Sequence, residues 1–259
     1  MENNSEEKLI VAKLNDKIKF CKTRNKIVNT EFLNMYQENI LRKELQRIKF
    51  KNYIFTGGYE EAESKLLIIY PDKLTEEVVT KNVQNIIKAI RVILPNEQIG
   101  KYQHKDYLGT IMQFGLVRER IGDILVYENC AYIIALQENV QYIKDSLIET
   151  KKFKKAKIEI IDTKEIEVRT PEFETFKITV NSLRLDNFVS EIGKLSRNET
   201  SKLIESEQVS VNCKVETRQS KIVEEKDVLI IRRKGKFIIE EFGNVNKKGK
   251  QVVMIKKYK

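Results

Sequence analysis

Basic and acidic side chains recur at short spacing in one stretch of the chain: Arg184-Leu185-Asp186, then Ser196-Arg197, Leu203-Ile204 and Val209-Ser210-Val211-Asn212. The chemistry this order supports is ionic, a small platform of two short helices and a hairpin that grips phosphate. Ser196 with Glu199 three positions on forms a capping box, so a helix starts there. Arg197 falls in its first turn, beside free backbone N–H groups, where phosphate oxygens bind well. Lys202 and Lys214 extend the same surface, and Arg232, Arg233, Lys234 and Lys236 flank it. Leu185, Phe188, Val189 and Ile192 recur at i, i+3, i+4 and i+7, the stripe of a helix with one apolar face. Asn181 or Ser182 is expected to cap that helix, Asp186 complements its positive end, and Gly193 is expected to close it in the left-handed conformation.

The whole chain agrees with a polyanionic partner. It has 259 residues, a formal net charge of +10 and a pI near 9.3, so nucleic acid is the first partner to consider. Its single histidine, His104, excludes a His-based triad or a multi-His metal site, and its three cysteines (Cys21, Cys130, Cys213) lie far apart in odd number. That pattern fits neither a disulfide framework nor a zinc site and points to a reduced, cytoplasmic setting. No cofactor, metal or catalytic residue is expected. No apolar run approaches a membrane span, and Met1-Glu2-Asn3-Asn4 is no secretory signal.

Periodicity divides the rest, and the fold class is α+β. Residues 1–80 read as an N-terminal helical and α+β region. Val11, Leu14, Ile18 and Cys21 mark one helix, and Leu33, Tyr36, Ile40, Leu41, Leu45 and Ile48 a second that starts at Thr30-Glu31. Strands at 53–56 and 65–70 flank Gly57-Gly58, which is a turn and not a phosphate loop, since no Lys-Ser or Lys-Thr follows. Residues 81–162 give strand, helix, strand, strand, helix, strand. This is the β-α-β-β-α-β order of ferredoxin-like folds and RNA-recognition modules. The aromatic strand signature of a true RNA-recognition motif is missing, so basic loops and not stacked bases are the expected contacts. Residues 163–179, with Pro171, read as a charged linker that lets two RNA-binding surfaces act on one partner. Residues 180–242 hold the platform. Residues 243–259, with Lys247-Lys248-Gly249-Lys250 and Lys256-Lys257-Tyr258-Lys259, read as a solvated basic tail.

On these residues, 183–238 resemble the S-four RNA-binding domain, named for ribosomal protein four of the small subunit. Three positions depart from its pattern, Glu207, Cys213 and Lys226, each where the family carries glycine. A second resemblance rests on His104-Lys105-Asp106-Tyr107-Leu108-Gly109 and on Arg118-Glu119-Arg120-Ile121-Gly122-Asp123-Ile124. With the C-terminal module, these make residues 85–240 similar to the YlmH family of bacterial S-four proteins; Lys105 stands where that family has arginine. The resemblance implies a non-enzymatic RNA-binding protein of the translation apparatus, bound to ribosomal RNA and tRNA on the large subunit during rescue of stalled ribosomes. A monomer is expected. The RNA-binding residues it suggests are Arg184, Asp186, Ser196, Arg197, Lys202, Asn212, Lys214, Arg232, Arg233, Lys234, Lys236, His104, Lys105, Arg118 and Arg120. Read without the resemblance, His104 is a helix-start hydrogen bonder, Arg118 to Arg120 a solvated charge cluster and Gly122-Asp123 a turn entering a strand.

Two other classes compete. A pseudouridine synthase carries the same module beside a catalytic domain, but the only Arg-Leu-Asp here already belongs to the module. Aminoacyl-tRNA synthetases need a His-x-Gly-His motif that one histidine cannot write. An adaptor in cell division would use the N-terminal helices to dock a protein.

Overall fold

Four successive apolar residues, Leu66-Leu67-Ile68-Ile69, are all buried, which a strand achieves only when both of its faces are covered. In the computed structural model, which describes residues 2–169 and 172–258, this strand is the middle of a three-stranded antiparallel sheet. Its strands are β1 (Val28–Asn29), β2 (Tyr53–Thr56) and β3 (Leu66–Ile69), ordered β1-β3-β2. Leu67 and Ile69 pack with Leu14, Ile18 and Cys21 of α1 (Glu2–Arg24) and Leu41 and Leu45 of α2 (Met35–Arg47). Leu66 and Ile68 face the other way, into a core with Ile87, Ala89, Tyr132, Ile134 and Leu136. Each such side chain withdrawn from water contributes roughly 1.5–3 kcal/mol.

That second core belongs to a four-stranded antiparallel sheet of β4 (Ile87–Ile93), β5 (Ile121–Val126), β6 (Cys130–Leu136) and β7 (Lys157–Ile161). A short helix, α3 (Glu76–Lys81), precedes it; α4 (His104–Gln113) and α5 (Val140–Glu149) form its two crossovers. The strand order β5-β6-β4-β7 is the split βαβ arrangement expected from the sequence. Ile90, Val92, Ile133 and Ala135 point to the helices, against Tyr107, Ile111, Ile143 and Leu147. The opposite sheet face, open in an RNA-recognition module, is covered here by β3 and its neighbours. Regions 1–80 and 81–162, expected as separate domains, therefore share a core, and the N-terminal compact unit is Met1–Glu167.

The second unit is Val168–Lys259. Its strands are β8 (Phe173–Val180), β9 (Val209–Val211), β10 (Lys214–Val215), β11 (Val228–Ile231), β12 (Gly235–Val245) and β13 (Gln251–Tyr258). They form one antiparallel sheet in the order β10-β9-β11-β12-β13-β8. One face carries α6 (Leu185–Gly193) and α7 (Arg197–Glu205), whose Leu185, Phe188, Val189 and Ile204 meet Val180, Leu229, Ile239 and Val253.

Two boundaries are corrected. The expected linker 163–179 is largely structured: Thr163–Glu165 is a single 3-10 turn capped by Asp162, and Phe173 onward is strand β8. Thr170 and Pro171 lie outside the described residues. The expected tail 243–259 is mostly the end of β12 and the whole of β13, which pairs with β8 along its full length, Gln251 with Val180 through Tyr258 with Phe173. Lysines are tolerated because only alternate residues, Val253 and Ile255, face the core. Lys259 lies outside the described residues.

Three smaller expectations also shift. The second helix starts at Asn34 and not at Thr30; Asn34 caps Gln37, while the Thr30 hydroxyl accepts from the Leu67 N–H at 2.9 Å. Neither Asn181 nor Ser182 caps α6; Arg184 occupies the cap position, and the Ser182 hydroxyl accepts from Asn187 at 2.8 Å. Gly193 stays helical, and Lys194 takes the left-handed φ of 52°. A Cβ at Gly193 would stand 2.8 Å from a Leu195 methyl, which would have to shift to admit it. Among the described residues no helix is long and apolar enough to cross a membrane.

Candidate nucleic-acid interface

The start of α7 is built as the sequence requires. The Ser196 hydroxyl accepts from the Glu199 N–H at 3.3 Å, and the Glu199 carboxylate accepts from the Ser196 N–H at 2.8 Å and from its hydroxyl at 2.7 Å. The Ser196 hydroxyl and N–H hold Glu199 below the ordinary carboxylate range, with Lys234 and Lys202 adding to the effect. Ser196 is therefore occupied as a cap, and Arg197, next in line, is exposed. Arg197 borders a polar cleft of about 410 Å³ together with Asp186, Asn187, Thr200, Ser201 and Gln219. Thr200, which lines the cleft, is buried, and its hydroxyl has no protein hydrogen-bond partner. Thr200 and Ser201 follow Arg197 at i+3 and i+4 on one helical face, a spacing legible in the sequence but carried by uncharged residues. Gln219 had no such signal.

Arg184 and Asp186 meet in a fork: Nε donates to Oδ1 at 3.1 Å and an η nitrogen to Oδ2 at 2.7 Å. Asp186 Oδ1 also accepts the Asn187 N–H at 2.9 Å. Arg184 is thus oriented at the rim but shares its charge with Asp186. At the other end of α6, Lys234 donates to the Gly193 carbonyl at 2.9 Å. This ties the turn Arg232-Arg233-Lys234 between β11 and β12 to the corner from which α7 starts. Arg232 and Arg233 remain exposed, as does Lys202. The fold therefore brings Asp186 and Arg197 to one cleft and Lys234 to its neighbouring corner.

Asn212 and Lys214 belong to the β9–β10 hairpin instead. Asn212 and Cys213 have φ of 52° and 65° with Val211 paired to Lys214, the two-residue primed turn that suits twisted strands. Asn212 donates to Asp227 at 2.7 Å and accepts from the Val228 N–H at 2.9 Å, so its amide pins the hairpin to β11. Glu207 and Lys226 also have positive φ, 60° and 68°. At all three departures from glycine the backbone keeps the left-handed form without the residue that adopts it most cheaply. Lys236 lies on the opposite sheet face, its ammonium 4.3 Å from the Tyr258 ring centre. Below the hairpin, Glu216 is buried and grips Arg218 through both oxygens at 2.9 and 2.8 Å. That pair was not foreseen from sequence.

The four residues expected in the N-terminal unit have a different setting. Arg118 donates to the carbonyls of Ile121 and Gly122, the latter at 3.1 Å. Arg120 pairs with Glu31 at 3.3 Å and with Glu138. Asp123 accepts three bonds from the loop after β2: the Tyr59 hydroxyl at 2.7 Å, the Glu63 N–H at 2.8 Å and the Ser64 N–H at 3.0 Å. Burial first, and Asp123 second, push the Tyr59 phenol far above its usual range. A Cβ at Gly122 would lie 2.7 Å from the Phe32 ring, and the Phe32 N–H donates to the Glu119 carbonyl at 2.8 Å. This segment joins the two sheets. His104 begins α4 and is exposed; protein packed around it lowers its pKa, as does Arg118, while Asp123 opposes them. Lys105 beside it is exposed. Asp106, not His104, satisfies the helix start, accepting from the Gln103 N–H at 3.0 Å.

Comparison with known proteins matches two family models: a putative RNA-binding domain in YlmH over residues 87–167 and the S4 domain over residues 183–229. Ribosome-associated protein quality control protein P2 of Bacillus subtilis (strain 168) is 30% identical over 205 residues, covering 79% of this chain and 77% of that protein. Cell division protein ylmH from Streptococcus pneumoniae has the same fold over 62% of this chain and 95% of its own, with a TM-score of 0.50 and 22% identity.

Proposed function

The chain belongs to the YlmH family of proteins with a C-terminal S4 domain, and from that premise we propose that it binds ribosomal RNA and tRNA on the large ribosomal subunit. It acts there in quality control of stalled ribosomes; its Bacillus subtilis relative is named for ribosome-associated protein quality control. It works by holding RNA, not by transforming it. The observation that carries this reading is the exposed Arg197 at the start of α7, beside a polar cleft and near the basic turn at Lys234. Phosphate at a helix start gains from both backbone N–H groups and the dipole, and Arg197 supplies a fork for its oxygens. Arg232, Arg233 and Lys202 then raise the local concentration of the polyanion and set its approach. The enzyme alternative would need a second Arg-Leu-Asp to supply its nucleophile, and the one such run in the sequence, Arg184-Leu185-Asp186, opens helix α6 of the S4 module.

Sedimentation with separated ribosomal subunits tests this directly. The protein is expected to travel with the large subunit at low salt and to be released as salt rises, since counterion release drives phosphate binding. Failure to bind either subunit, or ribosome association that survives nuclease treatment of the RNA, would overturn the reading and favour the protein adaptor. Modification of a nucleotide by the purified chain would overturn it in favour of an enzyme.

A further inference from the structure

The sheet of the C-terminal unit has a second face. Ile178 and Val180, Val253 and Ile255, and Phe237 and Ile239 turn inward to α6 and α7. By strand alternation Phe173, Lys177, Lys256, Tyr258 and Lys236 turn outward, and none of them is buried. β8 is an edge strand, and its register sets Phe173 opposite Tyr258 and Thr175 opposite Lys256. The two rings meet edge to face at 4.8 Å. Lys236 lies 4.3 Å from the Tyr258 centroid and Lys256 lies 5.9 Å from that of Phe173. This face also holds Glu240 and Glu241; Lys226 at 2.8 Å and Lys256 at 3.2 Å share Glu240, which leaves that cluster one positive charge for a phosphate.

We propose that this outer face is a second RNA site, which takes a single-stranded segment by stacking bases on Phe173 and Tyr258 while Lys177, Lys236 and Lys256 meet its phosphates. Aromatic rings interleaved with lysines on an open sheet are the two components single-strand binders combine, a π surface for any base and a positive track for the backbone. A protein partner fits less well, since lysine is depleted from the core of protein interfaces. The site lies on the face of the sheet away from α6 and α7, so it adds to the platform and does not extend it. It deepens, and rests on, the reading of the chain as an RNA binder.

The chain has no tryptophan, so Tyr258→Trp in the 259-residue chain places a single reporter in the site. Titration with a decauridylate single strand is expected to quench its emission to saturation. In the same background Phe173→Ala is expected to weaken single-strand binding about ten-fold, while binding of an RNA hairpin, read by anisotropy, is unchanged. Should Phe173→Ala unfold, Lys236→Gln with Lys256→Gln tests the face through its charge; a several-fold loss supports the site and an unchanged affinity overturns it. Hairpin binding without tryptophan quenching by the single strand overturns this assignment alone. Binding of neither RNA overturns it together with the functional reading.

Discussion

Asp123 in the N-terminal unit receives three hydrogen bonds from the loop after β2, while Asp186 in the C-terminal unit receives the guanidinium of Arg184 at the rim of an open cleft. Both aspartates sit a few residues after an arginine, and both lie in short motifs read as sites for RNA. Their surroundings separate them. Arg118, Asp123 and Gly122 turn toward carbonyls, N–H groups and an aromatic ring of the same unit. Arg197, Arg232 and Arg233 stay exposed. A recurring charged motif can therefore mark a join between two sheets as readily as a binding surface. What decides is whether backbone groups in need of partners lie within reach.

The largest effect that would sharpen this contrast is in Asp123→Ala. It removes the acceptor of the part-buried Ser64 N–H and Tyr59 hydroxyl and of the exposed Glu63 N–H, and it should destabilise the N-terminal unit by about 3 kcal/mol, the scale of lost bonds to a charged acceptor. Urea unfolding followed by hydrogen exchange should show the loss in residues of that unit and leave α6 and α7 protected. Affinity for an RNA hairpin should be unchanged while the protein stays folded. A fall in RNA affinity without a fall in stability would break the contrast.

Next in size is Arg197→Ala, expected to weaken hairpin RNA binding by roughly 1–3 kcal/mol at low salt and by less at high salt. The midpoint of thermal unfolding should stay nearly constant, because Arg197 is exposed and the cap is made by Ser196 and Glu199. Affinity equal to that of the unsubstituted protein, measured by anisotropy, would remove Arg197 from the interface. Cys213→Gly follows. Relieving a left-handed residue in the primed turn should stabilise the C-terminal unit by about 0.5–1 kcal/mol, readable in its unfolding midpoint. No gain would mean that the hairpin carries no strain at that position.

Local signals made much of this legible. The capping box at Ser196, the apolar stripe of α6 and the alternation of strands and helices in residues 87–161 all depend on neighbours within a few positions. β8 and β13 were not legible as partners. Each has one wet face, so Phe173-Glu174-Thr175-Phe176-Lys177 and Lys256-Lys257 read as charged connector and tail until paired across the sequence. The role of Asp123 was hidden for the same reason, since its donors lie some sixty positions earlier in the chain. So was the covered face of the central sheet, which no periodicity within residues 81–162 records. The basic side chains of the C-terminal unit could be named from composition. Which of them are tied down, as Arg184 and Lys234 are, required the folded chain.

The smallest effect concerns His104, which tests whether the N-terminal motif contributes any charge to RNA. Its pKa is lowered from 6.5, first by the protein packed around it and then by Arg118, so above that value it is neutral in both the folded and the unfolded chain. The native state then takes up its proton later than the unfolded state as pH falls. This group therefore costs no stability at pH 7.5 and lowers stability as pH drops below 6.5 toward its folded value. His104→Gln should leave hairpin affinity unchanged between pH 7 and 8 and should slightly flatten the loss of stability on the acid side. If that substitution instead weakens RNA binding at pH 7.5, the imidazole contacts RNA as a neutral hydrogen-bonding group. The N-terminal motif would then be a binding surface as well as a join.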